Sequence, residues 1–175
     1  MMCGGTVEVY IEPILPSEKL IIFGAGHITR SLAPMMKKIG FHVTIVDDTP
    51  DYLQREYFPD IEDLHLEDMA AFAERLSSDA NTYVVVLSRG FSRDKAILGQ
   101  LLKKNFRYIG MIGSKRKMES IIKALKEEGM PDEAFIKLKS PVGLDIGAET
   151  PEEIAISIAG EIIAVKKGEL ALAGQ

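Results

Sequence analysis

Lys19-Leu20-Ile21-Ile22-Phe23, followed by Gly24-Ala25-Gly26-His27, is the stretch on which the reading of this chain turns. The short apolar run predicts a buried strand. Two glycines at its end predict a tight turn. Residues 27–39 then recur at helical spacing, with Ile28, Leu32, Met35, Met36 and Ile39 on one face. A Gly-x-Gly turn between a strand and a helix is the context of a phosphate-binding turn. The first glycine permits the turn, and the second lets a ligand phosphate approach the backbone. The helix start offers free N–H groups and the positive end of its dipole. Pro34 fits the helix poorly, because an interior proline removes a hydrogen bond and kinks the chain. The fingerprint's third glycine would stand at position 29, where the sequence has Thr29. That branched side chain is expected to push the helix outward or redirect the ligand.

Outward from this turn, strands and helices alternate. Phe41–Val46, Asp63–Leu66, Thr82–Leu87, Arg107–Ile112 and Phe135–Leu138 read as strands. Glu67–Leu76, Ser92–Lys104, Ser114–Glu128 and Pro151–Lys167 read as helices. Their stripes are Ile97, Leu98, Leu101 and Leu102, then Met118, Ile121, Ile122 and Leu125, then Ile154, Ile158 and Ile162. Such alternation predicts an α/β, Rossmann-like fold with a mainly parallel sheet and helices on both faces. Residues 17–175 are expected to form this domain. Residues 1–16 break the pattern: Val7–Ile11 alternates like an edge strand, or like an arm that pairs with a second copy in a homodimer.

Several residues around the expected crevice are candidates for ligand binding. Asp47 lies 21 residues after Gly26, at the end of the second strand, with Asp48 next to it. An acid there hydrogen-bonds a ribose hydroxyl in dinucleotide-binding folds. The plainer reading is that Gly24 and Gly26 only make a tight turn and that the two acids are solvated. His27, first into the helix, is either a hydrogen-bonding or ligating group at the turn or an exposed histidine. Ser88 and Arg89 follow the fourth strand, where loops line the crevice of an open sheet. Asp94 reads as a first-turn acid. Gly110 and Gly113 give a flexible turn before Ser114, Lys115, Arg116 and Lys117. Ser114 can cap, while three cations oppose the helix dipole, so the loop either holds an anion or is a solvated basic patch. Thr150, Pro151 and Glu153 form a capping-box signature. That signature leaves Gly143, Gly147 and Glu149 unexplained. Glu149 is either a proton-transfer or polar binding group or a surface carboxylate.

Composition narrows the function classes. The 175 residues are 46% hydrophobic and 27% charged, ordinary for one globular domain. The 21 Lys+Arg against 26 Asp+Glu leave a net charge of −5, which argues against non-specific nucleic-acid binding. No apolar run is long enough to span a bilayer, and no signal peptide is evident, so a cytoplasmic location is expected. The single cysteine, Cys3, excludes an intrachain disulfide. Its thiolate is a candidate metal ligand or sulfur carrier, or a passive terminal cysteine. An NAD(P)-dependent oxidoreductase would share the turn and Asp47, yet no constellation of catalytic groups accompanies them.

Taken together, five motifs in order carry a family resemblance. They are the Met2-Cys3-Gly4-Gly5 start, Phe23–His27, Val46-Asp47-Asp48, Tyr108–Lys117 and Pro141–Ala155. The chain resembles the xanthine dehydrogenase accessory protein family (XdhC/CoxI type), specifically its C-terminal Rossmann domain, over nearly its whole length. The resemblance implies a non-catalytic accessory protein. Such a protein binds molybdenum cofactor (molybdopterin) and assists its insertion into a molybdenum hydroxylase apoenzyme such as xanthine dehydrogenase. It implies as further partners a cysteine desulfurase or a separate polypeptide carrying the family's N-terminal domain. Cys3 corresponds to the cysteine of the family's Cys-Gly-Gly start. The chain departs from the pattern at Thr29, where the family has a small residue, and at Phe91, where the loop after the fourth strand often has histidine. NAD(P) is the alternative cofactor.

Overall fold

The computed structural model describes residues 8–10, 18–77 and 79–170. Six strands form one sheet: β1 (Lys19–Phe23), β2 (His42–Asp47), β3 (Asp63–Leu66), β4 (Thr82–Val86), β5 (Tyr108–Met111) and β6 (Leu138–Lys139). Their spatial order is β3-β2-β1-β4-β5-β6, and every pairing is parallel. Five helices connect or follow them: α1 (His27–Lys38), α2 (Met69–Arg75), α3 (Phe91–Leu101), α4 (Lys115–Glu127) and α5 (Pro151–Lys167). This is a doubly wound Rossmann arrangement, and its order reverses between β1 and β4.

Side-chain alternation along each strand builds two cores. Leu20 and Ile22, with Tyr83, Val85 and Tyr108, pack under α1 and α5. Ile21 and Phe23, with Val84, Val86 and Ile109, pack under α2, α3 and α4. Both faces of the central strands are therefore apolar, as a parallel sheet covered by helices requires. Each fully buried Leu or Ile contributes about 1.5–3 kcal/mol relative to exposure.

Several expectations are corrected. The buried face of α1 is Thr29, Leu32, Ala33 and Met36, while Ile39 is exposed. Thr29 does not push the helix outward: it is fully buried, and its hydroxyl donates to the Gly24 carbonyl at 2.5 Å. That bond satisfies the polar group and ties α1 to the end of β1. Pro34 lies inside α1 and does not end it. Residues Asp132–Phe135 form a 3-10 turn, so the last strand starts only at Leu138. Gly110 does not loosen a turn. It is buried within β5, and a Cβ there would stand 2.6 Å from Val142 Cγ2 and 2.7 Å from the Tyr108 hydroxyl. Of the expected N-terminal arm only Glu8–Tyr10 is described; it is not a strand, and Val9 and Tyr10 are exposed. Cys3 lies outside the described residues.

Candidate functional site

At the C-terminal edge of the sheet, where the strand order reverses, the β1–α1 turn faces the loop after β4. Gly24 has φ +107°, and a Cβ on it would meet the Leu87 carbonyl and the Ser88 nitrogen at 2.9 Å. Its identity is thus required by the fold. Gly26 differs. It is the N-cap of α1 with extended backbone (φ −74°, ψ −172°), and a Cβ there would have nothing within 4 Å. The fold does not demand glycine at 26, and the space beside it is open. Helix α1 also has no side-chain cap and no acid in its first turn.

Asp47 is buried, and both its oxygens accept backbone bonds. Oδ2 accepts from Ala25 N–H at 2.7 Å, and Oδ1 accepts from Thr49 N–H at 2.8 Å. The end of β2 thereby clamps the middle of the glycine turn. Asp48 accepts from the Thr49 hydroxyl at 3.0 Å and pairs with Arg93 at 3.0 Å. That ion pair joins β2's end to the first turn of α3.

Two adjoining cavities open along this edge. One, about 50 Å³, is lined by Gly24, Gly26, Asp47, Tyr52 and Arg93 among others. The second, about 210 Å³, is lined by His27, Thr29, Ile112, Glu149, Pro151 and Ile154 among others. Gly26, Leu87, Ser88 and Arg89 border both. The structure therefore brings together Gly24, Gly26, His27, Asp47, Ser88, Arg89 and Glu149. His27, Arg89 and Glu149 are exposed at its rim.

The basic loop is placed differently. Gly113, Ser114, Lys115 and Arg116 do not line either cavity. The Ser114 hydroxyl caps α4 by accepting from Lys117 N–H at 3.2 Å, and Lys115 and Arg116 are exposed. Lys117 instead turns inward. Its ammonium contacts Asp94 Oδ2 as an ion pair, and the Ser88 hydroxyl donates to Asp94 Oδ1. Asp94 stands in the first turn of α3, as the sequence indicates, and it is fully buried there as a structural brace. Thr150 accepts from Glu153 N–H, and Glu153 accepts from the N–H groups of Glu149 and Thr150. Those two backbone bonds hold the Glu153 carboxyl below its ordinary value. Gly147 (φ +70°) sits in the exposed loop before this cap. Gly143 is explained by packing: with φ +100°, a Cβ there would collide with the Ser157 hydroxyl on α5.

Sequence reasoning missed Tyr52, Ile112 and Arg93 as walls of these cavities. Only Arg93 left a trace, a second arginine four residues after Arg89. Among the described residues no cluster of His, Cys, Asp and Glu is arranged to hold a metal ion, and no helix is long and apolar enough to cross a membrane.

A wholly parallel sheet in this order, with a Gly-x-Gly turn at its switch point, defines a Rossmann domain. Residues 20–162 match the family model described as the XdhC Rossmann domain, and the chain belongs to that family. It is 34% identical over 166 residues to a probable xanthine dehydrogenase subunit of Bacillus subtilis (strain 168), covering 93% of this chain and 47% of that protein. It is also 34% identical to the uncharacterized protein YqeB of Escherichia coli (strain K12), over 94% of this chain and 30% of the relative. The chain thus spans less than half the length of these curated relatives. A crystal structure described as a xanthine dehydrogenase from Bacillus halodurans superposes with a TM-score of 0.78 at 35% identity, over 89% of this chain and 44% of that one. The NAD(P)-binding domain of an exopolyphosphatase-related protein from Archaeoglobus fulgidus shares the fold at 18% identity, with a TM-score of 0.50 over 61% of this chain and 82% of that one.

Proposed function

We propose that this chain is the Rossmann module of a xanthine dehydrogenase accessory protein, that it binds molybdenum cofactor, and that it assists insertion of that cofactor into a molybdenum hydroxylase. Gly26 carries the reading. Its backbone could belong to any residue and its Cβ position is empty, so the glycine keeps space beside an uncapped helix start. A phosphate fills such a space, because free N–H groups and the helix dipole both favour an anion. The residues at hand suit the phosphate end of molybdopterin: Gly24, Ala25 and Gly26 form the cradle, with His27 and Arg89 at the rim. The larger cavity, about 210 Å³, is smaller than the roughly 300–1,000 Å³ of a site enclosing a drug-sized ligand. It suits one end of a larger molecule, with Ser88 and Glu149 placed to bond polar atoms near it. The cofactor brings the molybdenum chemistry that the target hydroxylase uses; this chain's residues only bind, orient and shield it. Handover involves the apoenzyme, and sulfuration brings in a cysteine desulfurase or a partner carrying the family's N-terminal domain. We assign the protein to the cytoplasm.

A second reading, an NAD(P)-binding module, is favoured by the strand order and by an acid at the end of β2. Against it, Asp47 already accepts two backbone bonds, which makes it a poorer partner for a ribose hydroxyl. Titration of the purified chain with molybdenum cofactor, NAD(H) and NADP(H) separates the two. Saturable binding of the molybdenum cofactor is expected; tight NAD(H) binding with none of the molybdenum cofactor would overturn the first reading.

A further inference from the structure

Helix α5 buries one side against α1 and the sheet and leaves an apolar stripe on the other. Ile156 is 56% exposed and Ile163 is 38% exposed. Between them lies Gly160, and the Leu144 side chain sits over it: a Cβ on Gly160 would stand 3.1 Å from Leu144 Cδ1. Leu144 is itself 36% exposed, so three exposed apolar side chains, Ile156, Leu144 over Gly160, and Ile163, line this side of the helix as a ridge. Glu152 stands before the ridge and Lys167 after it, both exposed, and neither has an ion-pair partner among the described residues. At 3.6 residues per turn, Glu152, Ile156, Ile163 and Lys167 fall within a sector of about 60° of the helix surface.

The order along this sector is acid, apolar, apolar, base, and it is symmetric about its centre. Ile156 and Ile163 lie equally far from the midpoint, as do Glu152 and Lys167. If a second α5 runs antiparallel across a two-fold axis at that midpoint, Ile156 meets Ile163 of the other copy. Glu152 meets Lys167 of the other copy, and each Leu144 adds to the apolar centre. A self-complementary patch of this kind is what an isologous interface needs. The two ion pairs lie about 22 Å apart along the helix, at the rim, where charge sets register and orientation more than strength.

We propose that the α5 ridge is a homodimer interface in which a second copy of this chain packs antiparallel on Ile156, Leu144 and Ile163, with reciprocal Glu152–Lys167 pairs. The interface is independent of any ligand at the glycine turn. Sedimentation velocity of the purified chain over a range of concentrations tests it, with thermal unfolding as a check that each variant folds. The expected result is a dimer that Ile156→Asp dissociates. Glu152→Lys and Lys167→Glu alone are each expected to weaken it several-fold, while the double charge reversal restores it, because the pairs re-form with exchanged signs. A chain that stays monomeric at high concentration overturns the proposal. So does a dimer insensitive to Ile156→Asp, which another surface must then hold, or a double reversal no tighter than the single changes.

Discussion

Helices α1 and α5 start at the same edge of the sheet and border the same cavity, yet their first turns are finished differently. The start of α5 is closed by its own sequence. Thr150 and Glu153 exchange hydrogen bonds with each other's backbone, and Pro151 removes one donor that would otherwise lack a partner. The start of α1 has Gly26 as N-cap, no side-chain cap and no acid. Asp47 takes the Ala25 N–H before α1, but no side chain caps the first turn of that helix as Thr150 caps α5. Two helix starts of similar geometry thus serve stability in one case and, in the function proposed above, binding in the other. The difference lies in a few side chains.

The sharpest way to break this contrast is Gly26→Asp. Aspartate is a slightly better N-cap than glycine, so unfolding should show α1 unchanged or stabilised by roughly a few tenths of a kcal/mol. The same carboxylate fills the open space with negative charge, and molybdenum cofactor binding in a calorimetric titration should fall more than tenfold. Retained binding would place the phosphate elsewhere. Gly24→Ala should act through the fold instead. Positive φ and the 2.9 Å approach of the β4 loop predict a loss of about 3 kcal/mol in denaturant unfolding. A loss under about 1 kcal/mol would mean the turn relaxes freely.

The smallest effect belongs to α5. Thr150→Ala should cost about 1 kcal/mol and leave ligand affinity unchanged. Its partner Glu153 makes that cap pH-dependent. Because the folded state lowers the Glu153 pKa from 4.5, its contribution is complete above that value and fades as pH falls through the lowered one. The destabilisation caused by Glu153→Ala, measured by unfolding at descending pH, should therefore shrink in acid. A penalty that grows in acid would contradict the capping box.

Much of the framework is legible in the sequence. The strand–turn–helix at 19–38 was visible from its apolar run and two glycines. The limits of α5 coincide with the sequence reading because capping signals are local. The buried face of α1 departs from that reading at Thr29, whose branched side chain is expected to push the helix outward and is instead buried. In the fold its hydroxyl reaches the Gly24 carbonyl, and the side chain goes inside. The candidate site was legible at Gly24, Gly26, Ser88, Arg89 and Glu149, since loops after parallel strands gather at one edge. The basic loop at 113–116 belongs to the same edge but does not wall the cavities.

The sequence by itself determined that the sheet is parallel, that helices cover it, and that a Gly-x-Gly turn opens the first of them. Periodicity, turn residues and caps act over a few neighbours and can be read in one dimension. Only the tertiary structure decided which glycine serves the fold and which keeps space free, because that depends on what the β4 loop brings near Gly24 and not near Gly26. It alone decided that Asp47 holds the turn, that Asp48 reaches Arg93, and that Asp94 gathers Ser88 and Lys117. Those partners come from separate elements, and no local pattern records which of them the closed sheet sets face to face.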